Sequence, residues 1–411
     1  MPLLKSKLKI MHVHNPSTKT NTKLRISMVT PWDQICGNAE YAKRLVRGLS
    51  TFAEVTPHEL INISDRYDAD GQLRTRRRLN VYFEQLFRRI QKCPADIIHI
   101  QHEFGFFGSS FSQADRRFLC LVNNIPRPLV VTLHTLIPTM SRRRHARKLA
   151  KLREAVFHSW RTRVVRKALK KSDAIILHSI YTHRQLIRSF PELKKKVHIV
   201  PIAIEKFPSG NANRWVKENG DRWIVVPGFV SGYKGHDYAL SALKFLPKQY
   251  KLVIAGGLHP EDPGSTETWT ALLGKADELR IRERVIFTDF ISDPCDQAEL
   301  FGQADAFLLP YHEVGQSGSA ALADVMAYGC PVVTSLAKSM FVYRMDRDTV
   351  NACVSVDVGK PKSVAACILD SVERDTGLYD KAHITTAIAR YNLDNTTGAY
   401  KSIYSNLLAR N

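Results

Sequence analysis

Short runs of apolar, β-branched residues alternate along the chain with longer segments in which apolar residues recur at helical spacing. Continuous Val, Ile and Leu runs are typical of strands that are buried on both faces of a parallel sheet. The first half contains five such runs, at 24–30, 96–102, 129–134, 174–179 and 197–202. The second half contains five more, at 223–229, 251–257, 284–290, 305–311 and 330–335. The pattern predicts two doubly wound α/β domains.

The alternation is interrupted by EKFPSGNANRWVKENGD, which is rich in Gly, Asn and charged residues. We expect a linker here, at 206–221, between a domain at 1–205 and a domain at 222–390. Ligands of open parallel sheets bind at the carboxyl ends of the strands, so two facing domains place their binding residues in one cleft. Residues 391–411 are expected to form a helix that packs back across the interface. Residues 1–22 suit either an edge strand or a basic leader.

The composition is that of a folded protein, since 44% of the 411 residues are hydrophobic and 9% are aromatic. Lys and Arg number 60 against 39 Asp and Glu, and the net charge of +21 favours polyanions or anionic lipid as partners. We find no apolar run of 18 residues and no signal-peptide core in MPLLKSKLKI, and therefore expect a cytoplasmic protein. The seven cysteines form no CxxC pair and are expected to be reduced core residues.

The segment QSGSAALADVMAYGCPVV, at 316–333, places one carboxylate, Asp324, inside an apolar helix-like pattern. Its small residues let backbone N–H groups approach a ligand at a helix N-terminus, where the helix dipole favours an anion. Gln316 precedes Asp324 by about two helical turns, which directs both side chains toward one ligand. The alternative is that the small residues only cap a helix whose Asp324 faces water. The candidate phosphate-binding residues are Ser317, Gly318 and Ser319.

The run PYHEVGQSGSAALADVMAYGCPVVTS resembles the donor-site signature of retaining GT-B glycosyltransferases of the family-4 type, also called glycosyl transferases group 1. In that signature, two glutamates separated by seven residues open a helix before A-M-A-x-G-x-P-V-V. This chain keeps the spacing but has Gln316 and Asp324 at the two acidic positions. The resemblance implies that Gln316 contacts the donor sugar and that Asp324 holds the nucleotide ribose. It also implies a GT-B fold, with two Rossmann-like domains facing across a cleft.

Two further segments look like parts of the same family. GFVSGYKGHDYALSAL resembles the strand, loop and helix whose lysine contacts the donor diphosphate, and Lys234 is the matching residue. A cation there stabilises the charge that develops on the departing nucleoside diphosphate. Phe229 stands where the family often has an arginine, so the chain departs from the usual phosphate contacts. TPWDQICGNAEYAKRLVRGL resembles the family's glycine loop, which implies that Gly37 and Asn38 approach phosphate and acceptor; an ordinary βα turn is the alternative.

Histidines follow two of the strands expected in the first domain. VVTLHTL ends with His134, which matches the family histidine close to the transferred sugar and the reacting centre. DIIHIQHEFGFFG also resembles a family segment, and we expect His102 and Glu103 to border the acceptor, with Glu103 orienting a hydroxyl. The alternative for His134 is a structural role, which is the usual role of a lone histidine. The matching segments run in family order from about Leu24 to about Ser335.

The segment at 141–171 contains 13 Lys or Arg residues and a single acidic residue, Glu154. A basic amphipathic helix of this kind suits an anionic membrane surface, which predicts that the protein is peripheral on the inner membrane face. The alternative is a helix that packs on the first domain and leaves its basic face in water. The apolar stripe consists of Leu149, Leu152, Val156, Trp160 and Val164.

The resemblance implies a hexosyl-type glycosyltransferase that uses a nucleotide-diphosphate sugar and acts with retention on a saccharide or lipid-linked acceptor, and we expect a role in bacterial cell-envelope polysaccharide or glycolipid synthesis. The scheme needs no metal ion and no cofactor besides the donor. Asp-x-Asp sequences at 68–70 and 346–348 suit a metal-dependent transferase, but they follow no buried strand and are expected to be loops.

Two other functions remain as alternatives. Gln316 and Phe229 are the reasons to consider a GT-B-like binding protein that has lost catalysis. The net charge is the reason to consider a nucleic-acid-binding protein, but the sequence has no recognition helix, stacking motif or zinc signature, so we expect no nucleic-acid partner.

Overall fold

The computed structural model describes residues 23–61, 76–108, 110–126, 128–136, 148–209, 214–259, 262, 264–312, 315–344, 347–374 and 378–410. These residues form two domains, each built on a parallel sheet of six strands with flanking helices. The predicted fold class, two doubly wound α/β domains that face each other across a cleft, is confirmed.

The sheet of the first domain has the strand order β2-β1-β3-β4-β5-β6, and every neighbouring pair is parallel. Its strands are β1 Leu24–Thr30, β2 Ala53–Glu59, β3 Ile97–His102, β4 Leu129–Leu133, β5 Ala174–Leu177 and β6 Val197–Ile199. Its helices are α1 Gly37–Leu49, α2 Arg76–Lys92, α3 Phe111–Asn124, α4 Lys148–Lys171 and α5 Ile180–Ser189, with short 3₁₀ helices at Phe104–Phe106 and Pro191–Lys196.

The sheet of the second domain has the order β12-β11-β10-β7-β8-β9 and is also parallel. Its strands are β7 Arg222–Pro227, β8 Tyr250–Ala255, β9 Val285–Phe287, β10 Ala306–Leu309, β11 Val332–Thr334 and β12 Val354–Ser355. The helices that follow β7 are α6 His236–Leu243, α7 Gly264–Glu278, α8 Pro294–Gly302, α9 Ala320–Met326, α10 Pro361–Glu373, α11 Lys381–Arg390 and α12 Leu393–Leu408, with 3₁₀ helices at Gly232–Lys234, Arg282–Arg284 and Lys338–Phe341.

All ten apolar runs that predict strands contain one, but two strands do not follow from the pattern. β2 forms an edge of the first sheet, contains Pro57 and is only partly buried, so it lacks a continuous apolar run. β12 forms an edge of the second sheet and has two residues. Central strands are therefore visible in the sequence because both of their faces are buried, and edge strands are not.

The last helix, α12, packs against α1 of the first domain. The hydroxyl groups of Tyr400 and Tyr41 are hydrogen-bonded, and Nδ1 of His99, on β3, lies 2.8 Å from the Tyr404 hydroxyl. Gly48 permits this contact, because a Cβ at that position would lie 2.3 Å from Cγ2 of Thr397. One apolar cluster therefore continues from the first sheet through α12 into the second domain.

The cysteines are all free, as predicted, but they are not all core residues. Cys353 and Cys367 are buried, four others are half-buried and Cys120 is exposed. The prediction of a core position was wrong for these five. A cysteine behaves as a small apolar residue and is tolerated at partly exposed helix and loop positions as well as in a core.

Candidate active site

A cavity of about 1610 Å³ lies between the domains, at the carboxyl ends of both sheets. Parallel strands end at the same edge of a sheet, so the loops that follow β1, β3 and β4 face the loops that follow β7 to β10. Nine of the predicted site residues line it: Gly37, Asn38, Glu103, His134, Lys234, Gln316, Gly318, Ser319 and Asp324. The other two, His102 and Ser317, do not line it.

Lys234 ends the 3₁₀ helix that follows β7, and its side chain is almost completely buried. Its Nζ donates a hydrogen bond of 2.7 Å to the Tyr311 hydroxyl and lies 4.7 Å from the centre of that ring. Gly228 makes room for the ammonium, because it has a φ of +90° and a Cβ there would lie 2.6 Å from Nζ.

Burial alone lowers the pKa of Lys234, since it removes water from the charged form. The oxygens of Tyr233 and Tyr311 and the carboxylate of Asp324 outweigh this effect, and the pKa lies above the usual lysine value. The cavity therefore holds a permanently charged ammonium at the end of β7, which suits an anionic ligand.

The helix that carries Asp324 begins later than the sequence pattern indicates. Ser319 is the N-cap of α9, and its hydroxyl accepts a hydrogen bond of 3.2 Å from the Leu322 N–H. Gln316 lies before the helix, in a short antiparallel bridge with Thr135. Gln316 and Asp324 are therefore not two turns apart on one helix, and that part of the prediction was wrong. Both side chains still reach the cavity.

Ser317 and Gly318 form contacts between the domains. The Ser317 N–H donates to the His134 carbonyl at 2.7 Å, and the Ser317 hydroxyl accepts from the His178 N–H at 2.8 Å. A Cβ at Gly318 would lie 2.9 Å from Cβ of His178. The Ser317 side chain is completely buried by these contacts, so its predicted position on the cavity wall was wrong.

Asp324 does not face water, although the capping alternative expects it to do so. Its side chain is 16% exposed, and Oδ1 accepts a hydrogen bond of 2.6 Å from Nη2 of Arg44, on α1 of the first domain. Burial raises the pKa of Asp324 and the Arg44 cation opposes that rise. The residue that matches the family's ribose-binding position is thus paired across the domain interface.

His134 lies just after β4 and is buried against Tyr41 and His178. Its Nε2 is 2.9 Å from the amide oxygen of Gln101, an acceptor, which places a proton on Nε2. Burial and the neighbouring histidines lower the pKa of His134 well below its usual value. The ring therefore offers a neutral side chain, together with a backbone carbonyl bonded to Ser317, at the wall of the cavity.

His102 and Glu103 are adjacent in sequence but occupy different environments. His102 packs among Phe104, Phe107 and Phe118, and neither ring nitrogen has a hydrogen-bond partner among the described residues. Its predicted position beside the acceptor was wrong, because successive residues at a strand end point in opposite directions and this one points into the core.

Glu103 lies at the cavity wall and is held by two hydrogen bonds, from the Phe104 N–H at 2.9 Å and from the Thr135 hydroxyl. Burial raises the pKa of its carboxyl group, and the two hydrogen bonds reduce the rise. Glu103 is therefore fixed in place at the position where the sequence predicts contact with an acceptor.

Gly37 and Asn38 open α1 beside the cavity. A Cβ at Gly37 would meet nothing within 4 Å, so the protein itself does not require glycine there. The N-cap residue, Cys36, makes no side-chain capping hydrogen bond. In this first turn the N–H groups of Ala39 and Glu40 donate to the Cys36 carbonyl, at 3.1 and 3.2 Å. The N–H groups of Gly37 and Asn38 are therefore the ones that a ligand in the cavity can approach.

The aromatic partners of Phe229 in the cavity, Phe290 and His259, were missed by the sequence interpretation. Phe229 stacks on Phe290, with ring centres 5.0 Å apart, and lies 4.7 Å from His259. An aromatic wall thus replaces the arginine that the family often has at Phe229. Arg44 and Tyr311 were also missed, and helical spacing gives a signal only for Arg44, which lies one turn after Tyr41 on α1.

The basic segment is described in part, since 141–147 and the side chains of Leu149, Leu152 and Val156 lie outside the described residues. The described part packs on α3 and buries Arg161, Val165, Ala168 and Leu169. Arg161 pairs with Asp115, whereas Arg166 and Lys170 pair with Glu192. Phe157 is 42% exposed and stacks on Trp160.

A search of the described residues finds no group of three His, Cys, Asp or Glu side chains that is arranged to hold a metal ion. The Asp-x-Asp sequence at 68–70 lies outside the described residues, and Asp348 of the second one pairs with Arg390 at 3.1 Å. Among the described helices, none combines the length and apolar character that crossing a membrane requires.

Two families of known proteins match the chain over most of its length. Residues 51–205 match the family described as Glycosyltransferase Family 4, and residues 221–374 match the family described as Glycosyl transferases group 1. The fold is that of a two-domain GT-B glycosyltransferase. The chain belongs to the group 1, family-4 glycosyltransferases, and the resemblance found in the sequence is confirmed.

Individual relatives are distant. The D-inositol 3-phosphate glycosyltransferase of Xylanimonas cellulosilytica is 25% identical over 302 residues, which cover 69% of this chain and 67% of that protein. Sucrose-phosphate synthase from Thermosynechococcus elongatus has a TM-score of 0.69 at 15% identity and covers 95% of this chain and 100% of its own. Anabaena HepE in complex with UDP-glucose has a TM-score of 0.63 at 15% identity, with 93% and 100% covered. The two solved structures show the shared GT-B fold.

Proposed function

We propose that the protein transfers a hexosyl group from a nucleoside diphosphate sugar to a saccharide or lipid-linked acceptor, with retention of the anomeric configuration. The reaction belongs to bacterial cell-envelope polysaccharide or glycolipid synthesis, and neither a metal ion nor a further cofactor takes part. Gln316 contacts the donor sugar, Asp324 the ribose and Lys234 the diphosphate, while His134 lies beside the reacting centre and Glu103 beside the acceptor.

The observation that carries this proposal is the convergence of these side chains from two domains on one cavity at the sheets' carboxyl ends. A buried ammonium, Lys234, offsets the negative charge that develops on the leaving nucleoside diphosphate. Domain contacts around Ser317 exclude water from the same region, which protects a reactive glycosyl group from hydrolysis.

The donor nucleotide is proposed to be UDP, because HepE structures contain UDP and UDP-glucose. The aromatic wall of Phe229 and Phe290 supports a donor that is bound partly by stacking or apolar contact. The acceptor is proposed to be a polyhydroxylated compound, as in the D-inositol 3-phosphate glycosyltransferase, and the half-buried Glu103 carboxylate is placed to accept a hydrogen bond from a hydroxyl.

The test is a screen of the purified full chain against UDP-, GDP-, dTDP- and CMP-linked hexoses. Thermal unfolding reports binding, and release of the nucleotide reports hydrolysis or transfer. We expect one nucleotide class to raise the unfolding temperature and to be turned over at the same rate in EDTA. The proposal is wrong if none of the donors binds or if EDTA abolishes turnover. Proton NMR of the transfer product then gives the anomeric configuration, and inversion would contradict retention.

The alternative of a binding protein without catalysis makes a different prediction in the same screen. A catalytically inactive GT-B protein binds a nucleotide sugar without releasing the nucleotide, whatever acceptor is supplied. Lys234, Asp324, Glu103 and His134 all line one cavity, and a site that only binds a nucleotide sugar has no physical need for Glu103 and His134 beside the other two. Their retention favours transfer.

We also propose that α4 attaches the protein to the inner membrane face. The described part of the segment exposes Phe157 next to Trp160, with Arg163 and Lys167 in solvent, which is a combination that binds at an anionic lipid interface. Sedimentation with vesicles of phosphatidylcholine alone or with 30% phosphatidylglycerol tests this. We expect binding only to the anionic vesicles, reduced in the Phe157→Ser variant. Tighter binding to duplex DNA than to these vesicles would favour the nucleic-acid alternative.

A further inference from the structure

Arg44 is a first-domain residue that reaches the predicted ribose position of the second domain. It lies on α1, and its Nη2 donates a hydrogen bond of 2.6 Å to Oδ1 of Asp324. Both side chains line the cavity. No sequence motif of the second domain contains Arg44, so the pair exists only because the two domains face each other.

Arg44 is held on three sides, so that its guanidinium group has one available orientation. Nη1 donates to the Ala203 carbonyl at 3.3 Å, Nε lies 3.7 Å from Oε2 of Glu205, and the group lies 6.0 Å from the centre of the Phe207 ring. Only 13% of the side chain is exposed. A planar guanidinium fixed in this way orients the carboxylate that it binds.

The Asp324 carboxylate is engaged through one oxygen. Among the described residues Arg44 is its hydrogen-bond partner, at Oδ1, which leaves Oδ2 as a charged acceptor beside the cavity. The titratable or charged groups around Asp324 are Arg44 and Glu40 on α1, Lys234 after β7, Tyr328 after α9, and Tyr343. Arg44 is the nearest cation and opposes the rise in pKa that burial causes.

We propose that Arg44 is a positioning residue for the donor ribose: it fixes the Asp324 carboxylate, whose second oxygen accepts a hydrogen bond from a ribose hydroxyl. The first domain thereby completes the nucleotide site of the second. This inference rests on the proposed function, because it takes the cavity ligand to be a nucleotide sugar. The affinity for the nucleotide then depends directly on this contact between the two domains.

The experiment changes the protein and the ligand separately and together, as in a double-mutant cycle, and compares the effects on affinity. Titration calorimetry measures binding of UDP and of 2′,3′-dideoxy-UDP to the wild type, Arg44→Gln, Arg44→Lys and Asp324→Asn. A hydrogen bond to a charged group is worth about tenfold or more in affinity, so removal of the ribose hydroxyls is expected to weaken wild-type binding by at least that factor. In Arg44→Gln and Asp324→Asn the same removal is expected to cost less than about threefold.

Two further measurements separate positioning from a merely structural role. Arg44→Lys retains a positive charge. Removal of the ribose hydroxyls is therefore expected to cost this variant more affinity than it costs Arg44→Gln, but less than it costs the wild type. In Arg44→Gln the loss of UDP affinity at low pH is expected to begin at a higher pH than in the wild type, because the buried Asp324 has lost its nearest cation. The matched control is Arg88→Gln on α2 of the same domain, whose side chain is 68% exposed and pairs with Glu84 on its own helix, and it is expected to behave as wild type.

Each outcome decides the inference. The inference is wrong if removal of the ribose hydroxyls weakens UDP binding by Arg44→Gln as much as by the wild type. It is also wrong if Arg44→Gln binds UDP more tightly than the wild type, because the ion pair would then compete with the nucleotide. Failure of the wild type to bind any of UDP, GDP or ADP overturns the proposed function together with this inference. Wild-type binding of UDP without any cost of removing the hydroxyls overturns the ribose assignment alone.

Discussion

Lys234 shows at the scale of a single residue how the fold prepares a charge for a ligand. Its ammonium is surrounded by Tyr311, Tyr233 and the glycine at 228, and it has little freedom to turn toward solvent. For the proposed function, a donor with two phosphates meets a cation whose orientation has already been set. Preorganised charge is effective in catalysis because little reorganisation is needed at the moment of reaction.

Replacement of Lys234 by Ala is expected to lower turnover of the donor identified in the screen by about 10²–10³-fold, the usual effect of removing one transition-state contact of this kind. Steady-state kinetics measures the effect, and far-UV circular dichroism checks that the variant is folded. The matched control is Lys244→Ala, an exposed lysine just after α6, which is expected to retain wild-type rates. Unchanged turnover in Lys234→Ala would remove the diphosphate assignment.

His102 makes the stability depend on pH. Burial lowers the pKa of its side chain to about 3, whereas a histidine in the unfolded chain titrates near 6.5. Between these values the unfolded state binds more protons, so stability falls as the pH falls from 6.5 toward 3. Replacement by Phe removes this effect and keeps an aromatic ring among Phe104, Phe107 and Phe118.

We compare the free energy of unfolding of His102→Phe with that of the wild type. The difference is expected to be about 1.4 kcal/mol more favourable to the variant at pH 5.5 than at pH 8. Urea unfolding at both pH values measures this difference. The control is Phe107→Leu in the same cluster, which changes no titratable group and is expected to be destabilised equally at both pH values. If the difference between the variant and the wild type were the same at both pH values, the pKa of His102 would be equal in the folded and unfolded protein, which would contradict the prediction. Retained transfer activity in His102→Phe would agree with a residue that does not touch the acceptor.

At the scale of the elements, a buried ion pair joins α3 to α4. Nε of Arg161 donates to Asp115 at 2.7 Å, and the two side chains are 5% and 0% exposed. The Arg161 guanidinium also lies 4.0 Å from the centre of the Phe111 ring, and Phe111 lines the cavity. The pair therefore connects the packing of the basic helix with the first-domain wall of the cavity.

Asp115→Asn is expected to lower the free energy of unfolding by about 3–5 kcal/mol, because it leaves the Arg161 charge buried without its partner. Chemical denaturation gives the value. Arg166→Gln on α4 is the matched control, since its ion pair with Glu192 is exposed to solvent and is expected to contribute little. Equal effects of the two substitutions would show that burial does not distinguish the pairs.

The central strands were predictable because their residues are apolar on both faces, as in Ala174–Leu177, which is buried throughout. The start of α9 was not predictable in the same way. Small residues at 317–319 suit either a helix or an extended segment, and the bridge between Gln316 and Thr135 decides between them. That bridge requires the other domain, so local propensity gave an early helix start.

For the whole molecule, the contacts that complete the cavity join residues far apart in the sequence. Lys234, Gly37 and Glu103 could be predicted because each lies in a segment that follows a strand and resembles a segment of the family. Arg44 could not be paired with Asp324 in advance, because 280 positions separate them and only the closed arrangement brings them together. The same reason explains why Ser317, which bonds to His134 and His178, was taken for a ligand contact.

The return of α12 to the first domain should make the two domains unfold together. Tyr404 is fully buried, and its hydroxyl pairs with Nδ1 of His99 at 2.8 Å. Tyr404→Phe leaves that nitrogen without a partner and is expected to lower the free energy of unfolding by about 1–3 kcal/mol. Differential scanning calorimetry is expected to show one transition for the wild type. Ser402→Ala, on the exposed face of α12, is the control; two separate wild-type transitions would contradict the coupling.

The hydrogen bonds between the strand-end loops of the two domains have a kinetic consequence. Leu136 donates to Gly315 and Ser317 donates to His134, on either side of the Thr135 and Gln316 bridge. For the proposed reaction, the nucleoside diphosphate product leaves only after the domains separate, and this separation breaks the hydrogen bonds between the two loops. Product escape then sets the pace of the cycle, and turnover slows in viscous solvents even though the bond-making step does not.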